Sequence, residues 1–238
     1  MVDAHPKLLK RRNLAGLSIY ILGASWRHGT RLRIGPRFLQ LGIGYGGSCL
    51  PKDLSAFRAV ARENGYELRL LGKVMRINEE QKQRFLRKVR SALWTLRGKR
   101  IGVLGLSFKG GTDDIRELPA ISSVQSLLHE GSEIVAYDPA AMERAQEVLP
   151  ASVKFAPDAF AAAEQVDALV ILTDWEEFSS FDLRRVRSGM NYPIIIDGRN
   201  LYDPAGMAKS GFYYLSIGRP DVAPQRAPTA RKVARSRQ

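Results

Sequence analysis

The sequence predicts an α/β protein in which a helical segment precedes a doubly wound parallel sheet. Two observations carry the sheet. From Lys99 onward, short runs of almost unbroken apolar residues recur, as in strands buried on both faces. Stretches of helical spacing separate those runs, as crossovers between parallel strands require. A third observation carries the helical segment: Leu71, Val74, Ile77, Phe85, Val89 and Leu93 recur at helical spacing.

In chain order, residues 36–47 form a loop rich in glycine (Gly42, Gly44, Gly46 and Gly47, with Gly35 just before it). Pro51 suits the first turn of a helix, where its missing N–H costs nothing. Gly65 closes that helix after Asn64. A second helix spans 67–96 and stops at Gly98; its length suits a connector or a subunit contact better than a compact core. "KRIGVLGL" (99–106) is the first strand and "LPAISSVQSLLHEG" (118–131) a helix with a glycine stop. "SEIVAYDP" (132–139) is a strand, "AAMERAQEVL" (140–149) a helix and "VDALVILT" (166–173) a third strand. "YPIIIDG" (192–198) and "GFYYLSIG" (211–218) bring the strands to at least five.

Composition narrows the function classes. A 238-residue chain with 45% apolar and 26% charged residues is ordinary for a soluble globular protein. Its formal charge of +13 suggests a nucleic-acid partner until the charge is located. Residues 1–40 carry a net +7 and 219–238 a net +5, whereas 41–218 hold 23 basic and 22 acidic residues. The body is almost neutral, so no nucleic-acid partner is expected. The tail "APQRAPTARKVARSRQ" reads as disordered and solubilising. At the other end, "KLLKRRN" before "LAGLSIYILGASW" imitates a secretory signal, but that apolar run of 13 is too short to span a bilayer. A single cysteine excludes an internal disulfide and any multi-cysteine metal site, and three scattered histidines argue against zinc. A cytoplasmic protein with neither metal nor membrane partner is expected.

Cys49 lies in "GYGGSCLPKD" (44–53), at the end of the glycine loop. A helix beginning near Leu50 puts its sulfur at the positive end of a helix dipole, which favours a thiolate, and Lys52 adds to the effect. Asp53, four residues on, falls one turn away on the same face, within reach of a water. The glycines opposite let a substrate approach the backbone. A small, inert, buried cysteine is the alternative that these residues leave open.

In doubly wound sheets, ligands bind beyond the carboxyl ends of the strands. Those ends read "GLSFKGGTDDIRE", "YDPA" and "DGRN", gathering Lys109, Arg116 and Arg199 on one rim. Such a trio suits a nucleoside diphosphate, because guanidinium groups grip phosphate in a forked geometry. Ordinary surface charge is the competing reading. The glycines of these strand ends lack the full G-x-G-x-x-G pattern of a dinucleotide site.

"RIGPRFLQLGIGYGGSCLPKD", "GVLGLSFKGGTDDIRELPA", "VAYDPAA", "LTDWEEF" and "IDGRNLYD…GFYYLSIGR" occur in the order found in UDP-glucose 6-dehydrogenases. The chain resembles that family over about residues 31–219. The resemblance implies a helical dimerisation segment over 31–97 and a Rossmann-like UDP-binding domain over 98–219. An atypical leader (1–30) and a disordered basic tail (220–238) flank them. It also implies NAD-dependent, two-step oxidation of UDP-glucose to UDP-glucuronate through a thioester, serving polysaccharide biosynthesis in a homodimer or higher oligomer. By position, Cys49 resembles the nucleophile and Asp53 the carboxylate that positions water. Phe38, Leu39, Gln40, Leu41, Gly42 and Gly46 resemble the loop around the sugar nucleotide. Lys109, after Phe108, and Arg199 resemble basic substrate contacts, and Arg33 resembles an arginine reaching the substrate across a dimer. Lys52 and Arg116 resemble contacts to NAD. Ser48 before the cysteine and Lys52-Asp53 after it resemble the UDP-glucose branch more than enzymes of N-acetylated sugars; GDP-mannose dehydrogenases are closer rivals.

The sequence also departs from that family. Residues 1–30 match none of its motifs, and Arg31 stands where an acidic residue usually precedes "RIG". The family's dinucleotide-binding domain, which opens on a strand and G-x-G-x-x-G, and the helical stretch bearing its oxyanion-stabilising lysine and asparagine are not expected ahead of Cys49. The expectation is a carboxy-terminal portion that keeps half a substrate site and is inactive alone. A non-catalytic nucleotide-sugar-binding or oligomerisation module, or a gene remnant, are the alternatives.

Overall fold

The computed structural model describes residues 41–225. Helix α1 (Leu50–Glu63) carries Pro51 in its first turn and gives way at Asn64 to Gly65, whose φ of +74° reverses the chain. Helix α2 (Arg69–Leu93) follows. It ends three residues before the expected Leu96, because Trp94 takes a φ of 61° and Leu96 turns into the core. Beyond it come β1 (Arg100–Leu104), α3 (Pro119–His129), β2 (Glu133–Tyr137), α4 (Met142–Val148), β3 (Lys154–Phe155), α5 (Ala159–Ala163) and β4 (Ala168–Ile171). The chain continues through α6 (Glu176–Ser179), α7 (Leu183–Gly189), β5 (Ile194–Asp197), α8 (Pro204–Lys209) and β6 (Tyr213–Ser216).

The six strands form one sheet in the order β3-β2-β1-β4-β5-β6, with every neighbouring pair parallel. The chain winds outward from β1 to β3, then returns to lay β4 on the other side of β1. That reversal opens a crevice at the carboxyl ends of β1 and β4. Both faces are covered, which explains why the strands read as continuous apolar runs. On one face Ile101, Val103, Ile134, Val170 and Ile196 meet Phe85, Leu86 and Val89 of α2 and Val124 and Leu127 of α3. On the other, Leu104, Leu169, Ile195 and Tyr214 meet Ala162, Val186, Met207 and Phe178. Gly102 sits under α5 so closely that a β-carbon there would lie 2.4 Å from the Ala162 carbonyl oxygen. Only glycine fits at that point.

The apolar stripe of α2 has two fates. Its carboxy-terminal half, with Phe85 and Val89, is fully buried, while Ile77 is 56% exposed. Helix α1 buries none of its residues. Residues 220–225, expected to open the disordered tail, stay on the sheet edge: Val222 exchanges backbone hydrogen bonds with Tyr214 (2.9 and 3.0 Å), and Lys88 pairs with Asp221. Residues 226–238 and the expected leader lie outside the described residues. Among the described residues, no helix is long and apolar enough to cross a membrane.

Candidate functional site

The crevice is built around Asp138, which follows β2 and is fully buried. One carboxylate oxygen accepts from the Leu106 and Ser107 N–H groups (2.7 and 2.9 Å), the Ser107 hydroxyl (2.8 Å) and the Trp175 indole (3.1 Å). The other accepts from the Ala140 and Ala141 N–H groups (2.9 and 2.8 Å). From the β4 side, the Thr173 hydroxyl donates to the Ser107 carbonyl (2.6 Å). Gly105, at φ +92°, lets the loop pass so near that a β-carbon would meet Thr173 at 2.4 Å. The loop after β1 is thus held from both sides, and it presents Phe108 and Lys109 outward as exposed residues.

At the end of β5, Asp197 shapes the next turn. It is fully buried and accepts from the N–H groups of Arg199 (2.8 Å), Leu201 (2.7 Å) and Tyr202 (3.4 Å) and from the Tyr214 hydroxyl (2.7 Å). Asn200 takes a φ of 59° there and locks to Ile217 through both its amide atoms. The turn delivers Arg199 to an ion pair with Asp174, beyond β4, at 3.0 Å. Arg199 Nε and Asp174 Oδ1 remain buried without a hydrogen-bond partner among the described residues.

Burial pushes the Asp197 carboxyl above its ordinary range, outweighing the pull of its four donors. The native state then binds this proton more tightly than the unfolded chain. The group therefore costs stability at neutral pH, and that cost is relieved as pH falls through the raised value toward the ordinary carboxylate range. Urea unfolding of wild type and Asp197→Asn at about pH 7 and about pH 5 tests this. Wild type should gain on the variant at the lower pH; a constant gap would show an ordinary carboxyl.

The cysteine loop docks onto this rim. Gly47 donates its N–H to the Arg116 carbonyl (3.1 Å), and a β-carbon on it would press on the Phe108 ring at 3.3 Å. A β-carbon on Gly46 would lie 2.6 Å from the Glu117 carbonyl oxygen, and one on Gly42 would lie 3.1 Å from Arg199 Nη1. From α2, Asn78 brackets Tyr45 with two hydrogen bonds (2.7 and 3.0 Å), and Gln81 reaches the Gly42 carbonyl (3.3 Å). Cys49 caps α1 from a helical backbone conformation and is an exposed free thiol, with Ser48 Oγ 3.7 Å from its sulfur. Asp53 donates its backbone N–H to the Cys49 carbonyl (2.8 Å), so the two side chains share one exposed face of the first turn. Asp114 grips the Arg116 guanidinium at 2.9 and 3.0 Å and is the main cause of its raised pKa.

The structure therefore brings Cys49, Asp53, Gly42, Gly46, Phe108 and Arg199 into one connected region. Leu41 packs against the main core. Lys52 is exposed on α1, and Arg33, Phe38, Leu39 and Gln40 lie outside the described residues. The rim is less cationic than its residue count suggests: Arg116 and Arg199 each have a carboxylate partner, and of the expected trio Lys109 alone lacks one among the described residues. Sequence reasoning passed over Asp138, Asp174, Asn78 and Gln81. A polar residue directly after a buried strand marks Asp138; Asp174 lies three residues beyond β4, and nothing local marks it or the α2 pair.

A switch-point crevice with a thiol-bearing loop clamped over it defines a Rossmann-like domain joined to a helical segment. The chain belongs to the UDP-glucose/GDP-mannose dehydrogenase family: the family's UDP binding domain matches residues 102–204 and its central domain residues 24–80. The second match starts inside the stretch 1–30, correcting the expectation that this stretch lies wholly outside the family. UDP-glucose 6-dehydrogenase TuaD of Bacillus subtilis is 41% identical over 194 residues, covering 82% of this chain and 42% of that protein. The UDP-glucose 6-dehydrogenase of Rhizobium meliloti is 44% identical over 190 residues, 79% of this chain and 43% of its own. Among solved structures, a UDP-glucose dehydrogenase from Pyrobaculum islandicum superposes with a TM-score of 0.72 at 30% identity, over 87% of this chain and 47% of that one. The chain thus spans less than half the length of these relatives.

Proposed function

We propose that this fold supplies the UDP-sugar and thiol side of an NAD-dependent oxidation of UDP-glucose to UDP-glucuronate. The observation that carries the reading is the clamp between the cysteine loop and the strand-end rim: Phe108 lies against Gly47 and Arg199 against Gly42. A nucleotide held at the rim has its sugar directed toward Cys49. Lys109, exposed and without a carboxylate partner among the described residues, is the phosphate-facing group, and Arg199, held by Asp174, is the second basic group of the rim. The Cys49 thiolate adds to the C6 aldehyde carbon, and the carbonyl oxygen takes up a proton. At the thioester level, Asp53 takes a proton from water, the water oxygen bonds to the acyl carbon, and the thiolate leaves. NAD, when bound, supplies the hydride acceptor. Lys52 and Arg116 would meet its charged groups, but the turn after β1 forms no dinucleotide cradle, since Thr173 fills the space over Gly105. A lone free thiol suits the reducing cytosol.

Calorimetric titration of the chain with UDP tests the rim. Saturable binding is expected, weakened about tenfold or more by Lys109→Ala, in line with a lost charged hydrogen bond. GDP should bind more weakly; a preference for GDP would move the assignment to the GDP-mannose branch. No binding, or binding indifferent to Lys109, would overturn it.

The same reading makes the protein a dimer or higher oligomer. Support comes from α1, where Leu50, Phe57 and Val60 are exposed along one apolar groove. Light scattering after gel filtration should give at least twice the chain mass, and Phe57→Glu should return it toward one. A wild-type monomer at micromolar concentration would rule out self-association through this face.

A further inference from the structure

We propose that the groove between the end of α1 and the start of α2 binds a polyphosphate anion, at a site separate from the rim that bears Lys109 and Arg199. The groove has a volume of about 640 Å³, and its walls carry Arg58, Arg62, Arg69, Lys73 and Arg76 with Tyr66 at its edge. Arg58 and Arg62 stand one turn apart on α1; Arg69, Lys73 and Arg76 stand at successive turns of α2. Two cationic rows therefore face each other across one cleft. Like charges one turn apart repel, and two facing rows compound the cost. The body between 41 and 218 is almost neutral, so this local excess is not part of a general surplus.

The cations are only partly answered from within the protein. Arg69 pairs with Glu67 (3.0 Å) and Arg76 with Glu80 (2.9 Å). Arg58, Arg62 and Lys73 have no carboxylate partner among the described residues. Arg58 is the most informative. It is half-buried, with its guanidinium laid over Gly72, where a β-carbon would stand 3.7 Å from Nη2. Its one hydrogen bond among the described residues goes to the Met75 sulfur at 3.4 Å. A thioether is a weak acceptor for a group with five donors. Gly72 leaves space beneath that guanidinium, and Gly65 has nothing within 4 Å, so the groove stays open. An anion with several charged oxygens satisfies such a fork and relieves both rows together, which a single carboxylate does not. The groove lies at the far end of the 14-residue α1 from Cys49, about 20 Å away.

The test titrates tripolyphosphate and ATP into the intact chain by calorimetry, and repeats both with Arg62→Glu/Lys73→Glu and with Lys109→Ala. Both reversed residues are exposed, so circular dichroism should show an unchanged fold. Both ligands are expected to bind wild type with an affinity that falls as salt rises. Charge reversal should weaken them about tenfold or more, and Lys109→Ala by less than about twofold. UDP binding at the rim should survive the charge reversal, so the two sites fail or stand separately. If the double variant misfolds, Arg58→Met removes the guanidinium and keeps an apolar stem, and the same loss is expected. Tyr66→Ala separates the sources: weakening of ATP alone assigns a nucleotide, and no effect on either assigns inorganic polyphosphate, both within the proposal. Absence of binding, or binding lost in Lys109→Ala and kept in the reversed variant, would overturn it.

Discussion

Asp138→Ala should destabilise the fold by on the order of 4 kcal/mol and abolish UDP binding at the rim. The carboxylate is fully buried and gathers six hydrogen bonds, four from the loop after β1 and Trp175, two from the turn that opens toward α4. Truncation orphans several buried donors at once, and each unsatisfied donor costs roughly 1–3 kcal/mol. Some relax toward incoming water, which keeps the total below the simple sum. For a domain whose whole stability is roughly 5–15 kcal/mol, the loss is severe. The functional consequence follows from position. Leu106 and Ser107 immediately precede Phe108 and Lys109, so a freed loop no longer holds Phe108 against Gly47 or Lys109 at the rim. Asp138→Asn discriminates shape from chemistry. The amide keeps the volume but must aim an NH2 group at one of the two donor sets, so a loss about half as large is expected. The measurement is the shift in urea midpoint at constant slope. A change below about 1 kcal/mol for Asp138→Ala would show that the loop is held by Thr173 and packing instead.

Such dependence on one buried acid explains why the sheet was easier to read than the site. Strands buried on both faces announce themselves, because each position along "ALVI" (168–171) must be apolar. Strand β3 escaped notice because it is two residues long and exists only through its pairing with Val135 and Ala136. Helices α5, α7 and α8 are too short for periodicity, yet each carries an aspartate cap: Asp158, Asp182 and Asp203 accept from N–H groups of the first turn. That signal was present in the sequence and outweighs periodicity for helices of one or two turns. On α2 the apolar pattern is the same over Val74 and Ile77 as over Phe85 and Val89; only the presence of the sheet beneath the second pair buries it. The cysteine loop was legible through its motif. The partners that aim it were not, since Asn78 lies 33 residues from Tyr45 and Arg199 still further from Gly42, and nothing local encodes those meetings.

UDP-glucose should protect Cys49 from alkylation, and this outcome tests whether the thiol and the rim form one site. The thiol is the chain's only one and is exposed, so iodoacetamide reads a single position by mass spectrometry. With UDP-glucose at ten times its dissociation constant, the unliganded fraction falls to about one eleventh, so the alkylation rate should fall about tenfold. UDP alone should protect less, because in the proposed arrangement the sugar, not the nucleotide, lies over the sulfur. Glucose alone should not protect, since nothing then engages Lys109 and Arg199. At the same ligand concentration Lys109→Ala should restore most of the rate, and Cys49→Ser should show no modification at all. The decisive adverse result is UDP-glucose that binds by calorimetry while Cys49 reacts as fast as before. In that case the clamp of Gly47 on Phe108 would be a packing feature of the fold, and the thiol would lie outside the sugar's reach.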